Sequence, residues 1–193
     1  MDVDLPRLED LGDLTGRRVI VRCDLNAPMA NGAILDDFRI RSALPTLRYL
    51  QDAGAKVTAC SHLGRPGGQV DSTLAMAPVG ERLRQLIPGV AVLENLRFDP
   101  GETANAAEVV DRLVDGQDAY VNDAFAASHR AHASVVGPPT RLPSAAGRLM
   151  VKEVEVLSGL RGTPRRPFVT ILGGAKVSDK LGAVQSLLKV VDE

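Results

Sequence analysis

The sequence predicts an α/β protein built on a parallel sheet. Short β-rich runs alternate with longer helical runs, the pattern of βαβ units. Two of those runs, 18–23 (RVIVRC) and 168–172 (FVTIL), are the most apolar and β-branched, as strands covered on both faces are. Polar and basic residues follow each run in turn. Right-handed crossovers place all the carboxyl ends of such strands on one edge, where ligands of parallel sheets bind.

The first strand is expected at 18–23. A helix follows over 42–53, with apolar Leu44, Leu47, Tyr49 and Leu50, Pro45 in its first turn and Gly54 closing it. A strand at 56–61 (KVTACS) leads to a helix over 74–87. A strand at 90–93 (VAVL) leads to a helix over 104–114, and a strand at 119–121 (AYV) follows. The next helix covers 150–160. Residues 159–167 (GLRGTPRRP) read as a linker, with a domain boundary near 165. Beyond it, the strand at 168–172 and a helix capped by Ser178 and running to about Val191 form the start of a second α/β domain.

Composition narrows the function classes. The 193 residues are 45% hydrophobic and 24% charged, an ordinary globular balance that excludes a disordered chain. No apolar run reaches the ~18 residues that span a bilayer. The acidic first ten residues read as no signal peptide, so a cytoplasmic chain is expected. A net charge of −1 and 3% aromatic residues with no Trp argue against nucleic-acid binding. Cys23 and Cys60 have no metal or multi-bridge spacing and read as small packed thiols.

The residues after the strands carry the chemistry. Asp24, Leu25 and Asn26 follow the first. His62, Leu63, Gly64 and Arg65 follow the second, and Arg97 the third. Arg130 follows the fourth, after His129, with His132 beyond it. Taken singly, an arginine there is an ordinary solvated charge, and Asp24 or Asn26 an ordinary turn residue. Taken together, Arg65, Arg97 and Arg130 with His62 would repel one another unless a multiply charged anion sat among them. Arginine binds carboxylate and phosphate with a planar fork. So many cations disfavour a metal, and the three histidines are not read as a metal site. After the last strand come Gly173, Gly174, Lys176 and Lys180. The two lysines share one helix face, at a helix start suited to a polyphosphate. The glycines lack the spacing of a Walker A loop.

These residues resemble the phosphoglycerate kinase family. The matching stretches are RCDLNAP (22–28), DFRIRSALP (37–45), SHLGRP (61–66), ENLRF (94–98), NDAFAASHRAHAS (122–134) and GGAKVSDK (173–180), in the family's order. The resemblance implies a three-layer αβα, Rossmann-like domain over 1–165 that binds 3-phosphoglycerate, then the start of a nucleotide-binding domain over 166–193. It implies reversible phosphoryl transfer in glycolysis, from 1,3-bisphosphoglycerate to ADP, giving 3-phosphoglycerate and ATP. Asp24, Leu25, Asn26, Arg39, His62, Leu63, Gly64, Arg65, Arg97 and Arg130 would bind the substrate, with His62 counted in the basic patch. Arg39 and Lys176 would serve the transferred group. Gly173, Gly174, Lys176 and Lys180 would meet the nucleotide, which carries Mg²⁺, and a monomer is expected.

The family has a whole nucleotide domain where this sequence has its first strand and helix. The alternative expectation is therefore a 3-phosphoglycerate-binding fragment that takes its nucleotide half from elsewhere. The family also has a further strand and helix before ENLRF. Here Leu86-Ile87-Pro88-Gly89 leads straight to Val90, which would narrow the sheet and expose neighbouring apolar surface.

Overall fold

A computed structural model describes residues 4–161, 164–173 and 181–192. Its regular elements are β1 (Arg18–Cys23), β2 (Met29–Ala30), β3 (Ala33–Ile34), α1 (Phe38–Asp52), β4 (Lys56–Cys60), α2 (Ala77–Leu86), β5 (Ala91–Val92), α3 (Pro100–Ala104), α4 (Ala107–Val114), β6 (Ala119–Asp123), α5 (Ala133–Val136), β7 (Ser144–Ala146), α6 (Arg148–Arg161) and α7 (Leu181–Leu187). The chain divides into two compact units, one spanning Asp4–Lys152 and the other holding residues 153–192 among those described.

In the first unit five strands form a wholly parallel sheet in the order β5-β4-β1-β6-β7. Side chains of a strand alternate between faces. Accordingly Val19, Val21 and Cys23 of β1 join Val57, Ala59, Ala119 and Val121 on one face. Ile20 joins Cys60 and Tyr120 on the other. The first face is covered by Ile40, Leu44, Leu47 and Leu50 of α1 and Val79 and Leu83 of α2. The second is covered by Val109, Val110 and Leu113 of α4 and Ala133 of α5. The result is the expected three-layer α/β fold. Both cysteines are buried free thiols, and burial pushes the Cys60 thiol up to about 12.

From β1 the chain moves outward through β4 to β5, then returns to place β6 on the other side of β1. This reversal of direction opens a crevice at the carboxyl ends of β1, β4 and β6. β5 stands at the sheet edge. Beside it lies an apolar groove lined by Val70, Leu93, Leu96, Phe98, Val109 and Leu113.

Several elements differ from expectation. α1 begins at Phe38, so Pro45 lies in its interior. Pro45 and Arg41, whose carbonyl loses its helical donor, are both exposed, and water can take that donor's place. The helix expected over 104–114 is α4, which begins at Ala107, and a further short helix, α3, precedes it. Asp99 caps α3 through the Gly101 N–H at 2.8 Å, and Asn105 ends it in the left-handed conformation at φ 54°. α2 begins at Ala77, after a 3₁₀ turn at Ser72–Leu74, and β5 is only two residues long. β7 and the β2–β3 hairpin were not anticipated.

The second unit departs most. No strand forms over 168–172, where Val169, Ile171 and Leu172 are 52%, 94% and 49% exposed. An apolar run becomes a strand only by hydrogen-bonding to a neighbour, and no strand pairs with this one among the described residues. Instead, Phe168 exchanges backbone and side-chain hydrogen bonds with Asp192, which also pairs with Arg166. α7 is present, while the Ser178 cap expected for it lies outside the described residues. No helix among the described residues is long and apolar enough to cross a membrane.

Candidate active-site cleft

An open cleft of about 240 Å³ lies at the carboxyl edge of the first unit's sheet, lined by Asp24, Asn26, Arg39, His62, Gly64, Arg65, Arg97, Ala126, Ala127, His129 and Arg130. Four strand-end loops, those after β1, β4, β5 and β6, and the start of α1 supply these residues, although the chain separates Asp24 from Arg130 by more than a hundred positions. Leu25 and Leu63, expected among the substrate-binding residues, point into the core and are 0% and 1% exposed. Gly173 is an exposed residue of the second unit, and Gly174, Lys176 and Lys180 lie outside the described residues.

Side-chain-to-backbone bonds tie the loops together. The Leu25 N–H donates to Ser61 Oγ at 2.9 Å, which joins the loop after β1 to that after β4. The Gly64 N–H donates to Asn26 Oδ1 at 2.8 Å. Asn95 is the central brace. Its Nδ2 donates to the carbonyls of Leu63 (2.8 Å) and Leu74 (2.9 Å), and its Oδ1 accepts from the N–H groups of Leu63 and Arg97. Glu94 accepts from the Met76 and Asn95 N–H groups, both at 2.7 Å, and so anchors the start of α2. Gly64 has φ +63°, and a Cβ there would stand 2.8 Å from Leu74 Cδ2.

The charges are unbalanced. Asp24 pairs with Arg39. Arg65, Arg97 and Arg130 have no carboxylate partner among the described residues. Arg97 donates from Nη1 to the Gly64 carbonyl at 2.9 Å, while its Nε is buried without a partner. Burial, then Arg130 and Arg22, pull its guanidinium below the ordinary range. Like charges so placed leave a positive potential that an anion would relieve.

His62 corrects one expectation. It is not part of the basic patch as a cation. Burial, reinforced by Arg22 and Arg97, pushes its pKa down to about 3, so the ring is neutral. Arg22, wholly buried at the end of β1, donates from Nη2 to His62 Nδ1 at 2.9 Å. A guanidinium has only donors, so Nδ1 accepts and the ring proton sits on Nε2. The sequence reading passed over Arg22, Ser61 and Asn95. An arginine inside a β-branched run was a visible signal for the first. Nothing in the sequence marks the other two as braces.

A doubly wound α/β unit with an arginine-lined cleft at its switch point is the class of a sheet-edge anion-binding protein. The comparisons give the family. The phosphoglycerate kinase family model matches residues 8–92 and 87–193. A phosphoglycerate kinase of Rubrobacter xylanophilus is 47% identical over 213 residues, covering 98% of this chain and 54% of its own length. One from Salinispora arenicola is 48% identical over 222 residues, covering 98% and 56%. The structure of phosphoglycerate kinase from Coxiella burnetii superposes with a TM-score of 0.87 at 36% identity, covering 98% of this chain and 53% of that one. The chain belongs to the phosphoglycerate kinase family. It spans about half the length of the relatives it matches. Both alignments are longer than the chain itself, and the family match is broken at 87–92, where the sequence runs straight into β5.

Proposed function

We propose that the cleft binds 3-phosphoglycerate and that the chain is the substrate-binding part of a phosphoglycerate kinase. That enzyme passes a phosphoryl group from 1,3-bisphosphoglycerate to ADP, giving 3-phosphoglycerate and ATP. The observation that carries the reading is the set of three arginines around one open cleft, none of them paired with a carboxylate among the described residues. Such a set suits a phosphate, whose oxygens take bidentate hydrogen bonds from guanidinium groups.

Arg65, Arg97 and Arg130 hold the phosphate, and the buried Arg97 Nε–H is a donor still in need of an acceptor. His62 adds an uncharged N–H donor. Asn26 uses its Oδ1 on the Gly64 N–H, which leaves its Nδ2 donors for the glycerate carboxylate or hydroxyl. Asp24 accepts a hydrogen bond from the glycerate hydroxyl while it steadies Arg39. Arg39, half-exposed at the start of α1, reaches the transferred phosphoryl group. Phosphoryl transfer asks for in-line positioning and charge stabilisation rather than covalent chemistry. One preorganised donor aimed at the developing charge is worth about 3–4 kcal/mol.

In this reading residues 1–165 form the substrate domain and 166–193 begin the nucleotide domain. Gly173, Gly174, Lys176 and Lys180 meet the phosphates of ATP or ADP, and Lys176 also meets the transferred group. Mg²⁺ travels with the nucleotide and neutralises its phosphates. In this reading the chain works in the cytoplasm. A coupled assay of ATP formation from 1,3-bisphosphoglycerate and ADP, run beside equilibrium dialysis of 3-phosphoglycerate, tests it. Binding with turnover supports the whole reading. Binding without turnover leaves a substrate-binding part that needs its nucleotide half from another chain. Absence of binding to the folded chain removes both.

A further inference from the structure

Arg22 is wholly buried, and all the atoms it touches are buried with it. Besides His62 Nδ1, it donates from Nη1 to the Cys23 carbonyl at 2.5 Å and from Nε to Ser134 Oγ at 2.9 Å. Ser134 Oγ in turn donates to Glu102 Oε1 at 2.6 Å, and the Ser134 backbone N–H donates to Glu102 Oε2 at 2.9 Å. Glu102 and Ser134 are both 0% exposed and lie on α3 and α5, outside the cleft lining. A buried carboxylate and a buried guanidinium thus compensate each other through one hydroxyl. Every hydrogen along the chain has a fixed direction. Ser134 Oγ can accept from Arg22 only because its own proton is turned toward Glu102. Arg22 has only donors, so it meets His62 Nδ1 as a donor whichever way Ser134 turns; what Ser134 and Glu102 fix is the place of the guanidinium that presents Nη2 to the ring.

We propose that Glu102 and Ser134 are positioning residues that act through Arg22 to hold His62 as its Nε2–H tautomer, so that the cleft is offered a neutral donor. This rests on reading the cleft as the 3-phosphoglycerate site. The device adds a hydrogen bond to the anion without a further positive charge beside Arg65, Arg97 and Arg130. It also discriminates, because an N–H accepts no hydroxyl proton and must face an oxygen lone pair. A ring with Nε2 bare would repel that oxygen.

The nearest alternative is that the buried chain merely fills and neutralises the space between α3, α5 and β1. The isosteric Glu102→Gln separates the two. Gln offers one oxygen to the two Ser134 donors, so its amide group meets either Ser134 N–H or Oγ–H donor to donor. When the Oγ–H is the one displaced, the hydroxyl turns toward Arg22 Nε and the guanidinium loses the bond that holds it. Ser134→Ala removes the relay's middle member.

Long-range ¹H–¹⁵N NMR on the ligand-free chain reads the tautomer of His62 directly, and titration with 3-phosphoglycerate reads the affinity. Wild type is expected to show a single Nε2–H tautomer at neutral pH. Either variant is expected to move His62 to a mixture of tautomers and to weaken 3-phosphoglycerate about 3- to 10-fold, as for one lost neutral hydrogen bond. A wild-type Nδ1–H tautomer overturns the proposal, whether or not the variants fold. So does an unchanged tautomer in a folded Ser134→Ala variant, or an altered tautomer with unchanged affinity. A wild-type chain that shows the Nε2–H tautomer, sensitive to Ser134→Ala, but ignores 3-phosphoglycerate keeps the relay and removes the substrate reading instead.

Discussion

Replacing Asn95 by Asp keeps the side chain's shape and removes its two donated hydrogen bonds. In the structure those bonds run from Nδ2 to the carbonyls of Leu63 at 2.8 Å and Leu74 at 2.9 Å, and Asn95 is only 3% exposed. An aspartate in the same place still accepts from the Leu63 and Arg97 N–H groups but turns an oxygen toward two carbonyl oxygens. Each buried acceptor left without a donor costs about 1–3 kcal/mol, so the expected loss is roughly 2–6 kcal/mol. That is a large share of the stability of a domain this size. Because Asn95 joins the His62–Arg65 loop to Arg97, the same change should weaken anion binding. Urea unfolding followed by circular dichroism measures the first effect, with Asn95→Ala alongside. The Asp variant should be at least as destabilised as the Ala variant, although it fills the space better. An Asp variant within about 0.5 kcal/mol of wild type would refute the assignment of Asn95 as the brace.

The remaining predictions concern charge, backbone and pH. Ala at Arg65, Arg97 or Arg130 should each weaken 3-phosphoglycerate about 10- to 100-fold, the weight of one charge-assisted hydrogen bond, and should flatten the salt dependence of binding. Gly64→Ala should cost about 1–2 kcal/mol in the thermal or urea midpoint from its left-handed backbone alone, and more from the Cβ set 2.8 Å from Leu74. His62 is held near 3 in the folded chain against an ordinary 6.5, so below pH 6.5 the unfolded chain takes up a proton that the folded ring refuses. Its contribution is therefore present above pH 6.5 and lost as the pH falls toward 3, up to about 5 kcal/mol, and NMR should find the ring still neutral at pH 5. Asp123 runs the other way. Burial raises its carboxyl to about 6, although it accepts from the Leu149 and Met150 N–H groups at the start of α6. The folded chain therefore gains up to about 3 kcal/mol as the pH falls from about 6 to about 4, and Asp123→Asn should remove that gain from the pH–stability profile.

What the sequence made legible follows from the range of the interactions. β1, β4 and the apolar stripes of α1 and α2 were legible because periodicity and β-branching report local burial. The cleft was legible because a parallel sheet delivers each strand's following residues to one edge. Local signals were also missed. Asn31-Gly32 closes the β2–β3 hairpin with both residues at positive φ, and Asp99-Pro100 with Asn105 brackets α3. β7 is a Ser-Ala-Ala run that becomes a strand only because β6 lies beside it, while 168–172 has the composition of a strand and no such neighbour among the described residues. The protonation of His62 was beyond reach for a different reason. It depends on Arg22, forty residues earlier, and on a dry interior that only the folded chain creates.

Three arginines without a carboxylate partner among the described residues fit this cleft to a phosphorylated glycerate. Calorimetric titration of 3-phosphoglycerate into the purified chain, with Arg65→Ala as control, tests it most directly. Saturable binding is expected, lost or severely weakened in the Arg65 variant. A folded chain that gives no binding, or one whose affinity is the same without Arg65, would contradict it.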